Sequence, residues 1–302
     1  MIVLGLTIAL AAPLSASAAP KYTDWSTPVN MGSTVNSAAA DQGPALSKDG
    51  LTLYITSQRS GGYGGNDIWV SQRESTGDAW GSPVNLGSTV NTNASDGAPS
   101  FSRDGHWMFF NSDRTGGFGA LDVWASYRQD KHDDFAWETP VNLGSNINTN
   151  ATDAGATYFA NDDGDAPLLY FSSVRSTGVG MLDVYVSTLQ ADGSWGSADL
   201  VEELSSTGAD NRPNIRFDGL EIIVSSNRAG GLGNFDLWVS TRNSTSSEWS
   251  TPENLDAPVN SAQNDQQSFI SDDRETVIFA STRAGGSGSF DLYQSTRSKS
   301  NK

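Results

Sequence analysis

The 302-residue chain has no cysteine, so neither disulfides nor thiolate metal sites can hold its fold together. It has only two histidines, His106 and His132, so with no Cys neither a histidine-based metal centre nor a thiol nucleophile has the partners it requires. Basic residues are scarce: 18 Lys and Arg face 35 Asp and Glu, a formal charge of −17. A field of that sign repels nucleic acid and anionic membrane faces, and it favours cations and solubility. Beyond the first 20 residues no stretch approaches the 18 or so apolar residues of a membrane helix, so no span is expected. Helical periodicity over ten or more residues is absent throughout, which points to an all-β fold.

The chain opens on an uncharged segment, MIVLGLTIALAAPLSASAAP, an apolar core followed by small residues at Ala16 and Ala18. This reads as a secretory signal over residues 1–19, with residues 20–302 as one exported domain, periplasmic or extracellular and monomeric. After it the chain repeats itself. Trp25, Trp80, Trp137, Trp195 and Trp249 open five copies at spacings of 55, 57, 58 and 54 residues. Three copies continue as WSTPVNMGSTVN, WGSPVNLGSTVN and WETPVNLGSNIN; the fifth, WSTPENLDAPVN, is close, and the fourth, WGSADLVEELSS, is degenerate. A second phrase recurs as SQRSGGYGGNDIW from Ser57, SDRTGGFGALDVW from Ser112, SVRSTGVGMLDVY from Ser173, SNRAGGLGNFDLW from Ser226 and STRAGGSGSFDLY from Ser281.

Each copy holds four strand-like runs separated by turn residues, the pattern of a β-propeller blade. Counted from the inner strand, five blades fall at about 41–86, 96–143, 153–201, 210–255, and 265–297 plus 25–31. The expectation is a five-bladed propeller of four-stranded antiparallel blades, its ring closed by the N-terminal strand pairing into the last blade. The repeat resembles the WD40-like propeller repeats of the TolB type: an acidic residue, a proline, Ser-x-Asp-Gly, an apolar strand, Ser-x-Arg, glycines, then Asp-Ile/Leu-Trp/Tyr. The resemblance implies the fold, and a setting among exported or envelope-associated bacterial proteins; it does not fix a function.

Three repeated features are candidates for chemistry. Arg59, Arg114, Arg175, Arg228 and Arg283 each precede an Asp by eight residues, which suggests a pair across the hairpin loop or, as a rival, a site shared by all blades. The repeated aromatic residues read as inter-blade packing or as sugar platforms. Asp41, Asp96, Asp153, Asp210 and Asp265 stand just before the inner strands, which line the central channel, so five carboxylates are expected near one mouth. They are the candidate ligand-binding residues, and the candidate ligands of a cation such as Ca²⁺; the other reading makes each a lock between blades. Arg212 and Gln266, which break the symmetry after the ring Asp, join them as candidate ligand contacts. The turn 161–165, NDDGD, superficially resembles a calcium loop but lacks its downstream Glu.

The reading that follows is an exported binding protein that takes a glycan, peptide or cell-envelope component at the channel mouth. Its rivals are a carbohydrate-active enzyme, hydrolase or lyase, using channel Asp residues, and a non-catalytic scaffold for envelope assembly.

Overall fold

A computed structural model describes residues 21–160 and 164–300; the segment expected to be a secretory signal and residues 161–163 of the acidic turn lie outside it. The chain forms five four-stranded antiparallel sheets. Their inner strands are Asp41–Leu46, Asp96–Phe101, Asp153–Phe159, Asp210–Ile215 and Asp265–Ile270. In the first blade the chain then runs outward through Thr52–Ser57 and Asp67–Gln72 to Val84–Asn85. The outermost strand is only two residues long, and Trp80 precedes it rather than forming part of it.

The ring closes as the repeat implies. Val29–Asn30 pairs antiparallel with Asp291–Thr296, with Val29 opposite Gln294 and Asn30 opposite Tyr293, so the N-terminus supplies the fourth strand of the fifth blade. A further pair, Lys21–Tyr22 with Lys299–Ser300, straps the two ends together. Closure leaves no long unpaired strand edge between first and last blade.

The core is not one mass but five, each between neighbouring blades. Tyr54, Ile68 and Val70 of the first blade meet Met108, Phe110 and Trp124 of the second, and the last interface joins Leu53, Ile55 and Trp69 to Ile278, Ala280 and Leu292. The second strands carry most of this burial because both their faces are covered. Four of the copy-opening tryptophans pack beneath arginines that follow the third strands: Arg73 over Trp80, Arg242 over Trp249 and Arg297 over Trp25 at 4.2 Å, and Arg128 over Trp137 at 4.4 Å. That settles them as packing elements in a cation–π stack.

The Pro-Val-Asn-Leu-Gly phrase has a mechanical reason. Asn85 donates to Asp67 of its own blade, and its side-chain oxygen accepts from Gly87 and Asn91. Asn91 in turn bonds both backbone groups of Ile68. Asn142 with Asn148, Asn254 with Asn260, and Asn30 with Asn36 repeat the arrangement. The outer strand is thus tied to the third strand by side chains, which compensates for its short ladder.

Removing residues 1–31 opens the fifth blade and strips Arg297 of Trp25. Relative to a chain beginning at residue 20, the truncated protein is expected to melt at least about 5 °C lower, on the order of 2 kcal/mol, and to self-associate in size-exclusion chromatography. An unchanged melting curve would contradict closure by this strand.

Candidate functional site

The five ring aspartates are fully buried, each at 0% exposure. Asp41 accepts at Oδ2 from the Ser37 backbone N–H and hydroxyl, and at Oδ1 from the Ser57 hydroxyl (2.5 Å) and Arg59 Nη2 (2.6 Å). The same arginine donates to the Val35 carbonyl and lies over Trp69. The arrangement recurs with Arg114 on Asp96 (2.6 Å), Arg175 on Asp153 (2.7 Å), Arg228 on Asp210 (2.6 Å) and Arg283 on Asp265 (2.5 Å).

Two expectations are corrected by this geometry. The arginines do not pair with the Asp eight residues ahead; each reaches back to the Asp that opens its own inner strand. Asp67 is instead held by the N–H groups of Tyr63 and Gly64 and by Asn85. Nor do Asp41, Asp96, Asp153, Asp210 and Asp265 meet as a metal or ligand cluster. Both oxygens of each carboxylate are taken by donors within its own blade and linker, and among the described residues no three His, Asp or Glu side chains are placed to hold a metal.

What does line the channel mouth is the segment just after each ring Asp. There every inner strand slips register against its neighbour, a bulge that places Gly43, Ala98, Gly155, Arg212 and Gln267 at positive φ. Four of these residues donate their N–H to a side chain on the second strand of the preceding blade: Ala98 to Thr56, Gly155 to Asn111, Arg212 to Ser172 and Gln267 to Ser225. A bulge turns a side chain out of the ladder, here toward the channel axis. Above the bulges lies a cavity of about 220 Å³ lined by polar groups that include Gln42, Asn66, Asn111, Asn211, Arg212 and Gln267. Among the described residues no Asp or Glu lines it. Gln267 lines it, and the expected Gln266 does not.

Arg212 reaches across the channel. Its guanidinium donates to the carbonyls of Pro99 (3.1 Å) and Pro44 (3.3 Å) and to the Gln267 side-chain oxygen (3.2 Å), and Gln267 continues to Gln42 (3.3 Å). Burial alone brings its pKa down to about 9. A second, larger cavity, about 520 Å³, opens at the other end of the blades between the turns at Ser47–Gly50 and Ser102–Gly105. It is roofed by the loop carrying Lys131 and His132, which Asp134 pins through Arg128, Tyr54, Thr52 and Gln72.

The third blade is the weak copy. Leu200 stands opposite Tyr185, where the other blades place an Asn. Asp183 consequently lacks the amide its counterparts enjoy; it accepts from Gly180, and its Oδ1 has no partner. Burial, with the Asp210 charge adding to it, holds its carboxyl above the usual carboxylate range.

No protein-family model matches the chain, and no curated protein aligns with it. Among solved structures it is similar to an arabinanase of Bacillus subtilis, 14% identical, TM-score 0.61, over 88% of this chain and 96% of that one. It is also similar to an α-L-arabinofuranosidase from Lactobacillus brevis, 12% identical, TM-score 0.59, over 86% and 91%. A putative TolB from Agrobacterium tumefaciens, 19% identical over 82% and 72%, aligns more loosely, with a TM-score of 0.48. At these identities the likeness carries the five-bladed fold, and it does not single out the TolB type.

Two measurements check the clamp. Asp96→Asn leaves Arg114 without its charge partner and is expected to cost about 3–5 kcal/mol in unfolding free energy, equally in calcium and in EDTA; a loss confined to calcium buffer would restore the metal reading. Asp183→Asn has the opposite sign. The folded protein holds the Asp183 proton more tightly than the unfolded chain does, so its ionised form weakens the fold above the ordinary carboxylate range. The variant is expected to melt higher at pH 7, with the gain shrinking as pH falls and gone below about pH 4.

Proposed function

We propose that the protein is an exported propeller that recognises a carbohydrate at the mouth of its central channel. The observation that carries this reading is the lining of the 220 Å³ cavity, rich in side-chain amides and hydroxyls and free of carboxylates. A sugar hydroxyl both donates and accepts, and the amide groups of Gln42, Asn66, Asn111, Asn211 and Gln267 offer both functions. Concave polar groups held on strands also discriminate well, because a ligand that lacks the matching hydroxyl leaves them unpaired. The solved structures of similar fold are described as an arabinanase and an arabinofuranosidase, which supports carbohydrate as the ligand class.

Those same descriptions favour a second reading, a glycoside hydrolase. Hydrolysis by the common route needs an acid and a carboxylate about 5–5.5 Å apart or about 6.5–9.5 Å apart, facing one sugar. Among the described residues no Asp or Glu lines the channel cavity, and on that ground recognition is kept as the main reading at this mouth.

The deciding experiment pairs calorimetry and thermal shift with a reducing-sugar assay on arabino-, xylo- and cello-oligosaccharides. The expected outcome is saturable binding without product, with a gain of about 2.7 kcal/mol at a hundredfold excess over Kd, and weaker binding in Asn111→Ala and Gln267→Ala. Release of reducing ends would establish the hydrolase. A flat response to every saccharide would overturn both readings in favour of a protein or envelope partner.

A further inference from the structure

We infer that the ligand of the channel mouth is acidic, a sugar whose carboxylate docks on Arg212; the inference rests on the recognition reading above and narrows it. Among the described residues three arginines are almost fully buried, Arg128, Arg212 and Arg216. Arg128 pairs with Asp134 at 2.9 Å, and Arg216 pairs with Glu221 at 3.1 Å and with Asp218. Arg212, 5% exposed, bonds only neutral oxygens. A buried cation without an opposite charge is costly, and proteins normally pair it. The ring aspartates cannot be what it answers, since each already holds its own arginine.

The fold does not require an arginine here. The equivalent positions are Gly43, Ala98, Gly155 and Gln267. Arg212 also adopts φ 49°, where a side chain is disfavoured, so the position carries a backbone cost and a desolvation cost together. Its neighbours make room for it. A Cβ added at Gly43 would stand 2.5 Å from Arg212 Nη1, and one at Gly155 would stand 2.8 Å from its Cα. Two of the other four bulges are therefore glycine where the arginine crosses, and the channel accommodates one guanidinium from one blade.

Three of the five guanidinium N–H groups are used by the hydrogen bonds above, and the cation lines the cavity. A carboxylate seated there gains a charge-assisted hydrogen bond and supplies the missing charge. Gln42, Asn211 and Gln267 around it remain for ring hydroxyls. A carboxylate on a sugar, as in a uronate, fits this combination of one cation with a rim of amides.

The test uses the full mature chain with galacturonate and glucuronate, their methyl esters, and galactose and glucose, read by calorimetry. The expected result is at least about tenfold tighter binding of each uronate than of its ester or neutral sugar, with the preference lost in Arg212→Gln. Free of ligand, Arg212→Gly is expected to melt no lower than the parent, because a buried charge and a strained backbone are both removed. Equal affinity for acid, ester and neutral sugar would overturn the acidic ligand while leaving the carbohydrate site standing. Retention of the preference in Arg212→Gln, or a strong drop in the melting point of Arg212→Gly, would assign the arginine a structural task instead. Tighter binding of an N-acetylated dipeptide than of either uronate would overturn the sugar class. Failure of every sugar to bind would overturn the recognition reading itself. If Arg212→Gln does not fold, the comparison of uronate with its methyl ester on the unmodified chain decides.

Discussion

Every blade depends on one buried ion pair, the arginine after the second strand with the aspartate that opens the inner strand. Such a pair gains little over an apolar replacement, since desolvating two charges offsets most of their attraction, but a half-pair is severely penalised. The clamp therefore acts as a specifying device. It admits only the register in which Ser57, Asp41 and Arg59 meet, and it fixes where the incoming linker from Val35 to Ser37 must lie. Repeated five times, it makes each blade answer its own charges, and the apolar layers between blades are then free to form by shape alone.

That local neutrality has a consequence for the channel. In a chain with 17 more acids than bases, carboxylates gathered around an axis would repel one another and draw in counterions. Burying the ring acids inside the blades leaves the channel mouth to amides, hydroxyls and one guanidinium. The bulge after each clamp does the rest by turning the next residue inward, so that the same irregularity is structural in five copies and available for recognition wherever the residue is not small.

The repeat makes most of the fold legible: strand order, blade limits and the closing strand all follow from five spaced copies. What the spacing could not give was pairing. Arg59 stands eight residues from Asp67 and 18 from Asp41, and sequence proximity favoured the wrong partner; the hairpin carries the arginine back over the inner strand, which is a property of the sheet and not of the string. The channel was legible only in part. Arg212 stood out because it breaks a repeated pattern, whereas Asn111, on a second strand among Thr56, Ser172 and Ser225 at equivalent places, needed the neighbouring blade to bring it to the mouth. Gln267 was displaced from Gln266 by one residue for the same reason: in a bulge the alternation of faces shifts by one.

Architecture shared with carbohydrate-active enzymes does not by itself carry their chemistry. A propeller presents the starts of its inner strands to a common mouth whatever the residues there, so the position of a ligand can persist while the groups that meet it change. In this chain the clamp engages the five ring aspartates, each held by an arginine and buried away from the cavity lining. Among the described residues, amides, hydroxyls and one guanidinium line this mouth, so a carboxylate acting there would have to come from outside the cavity lining.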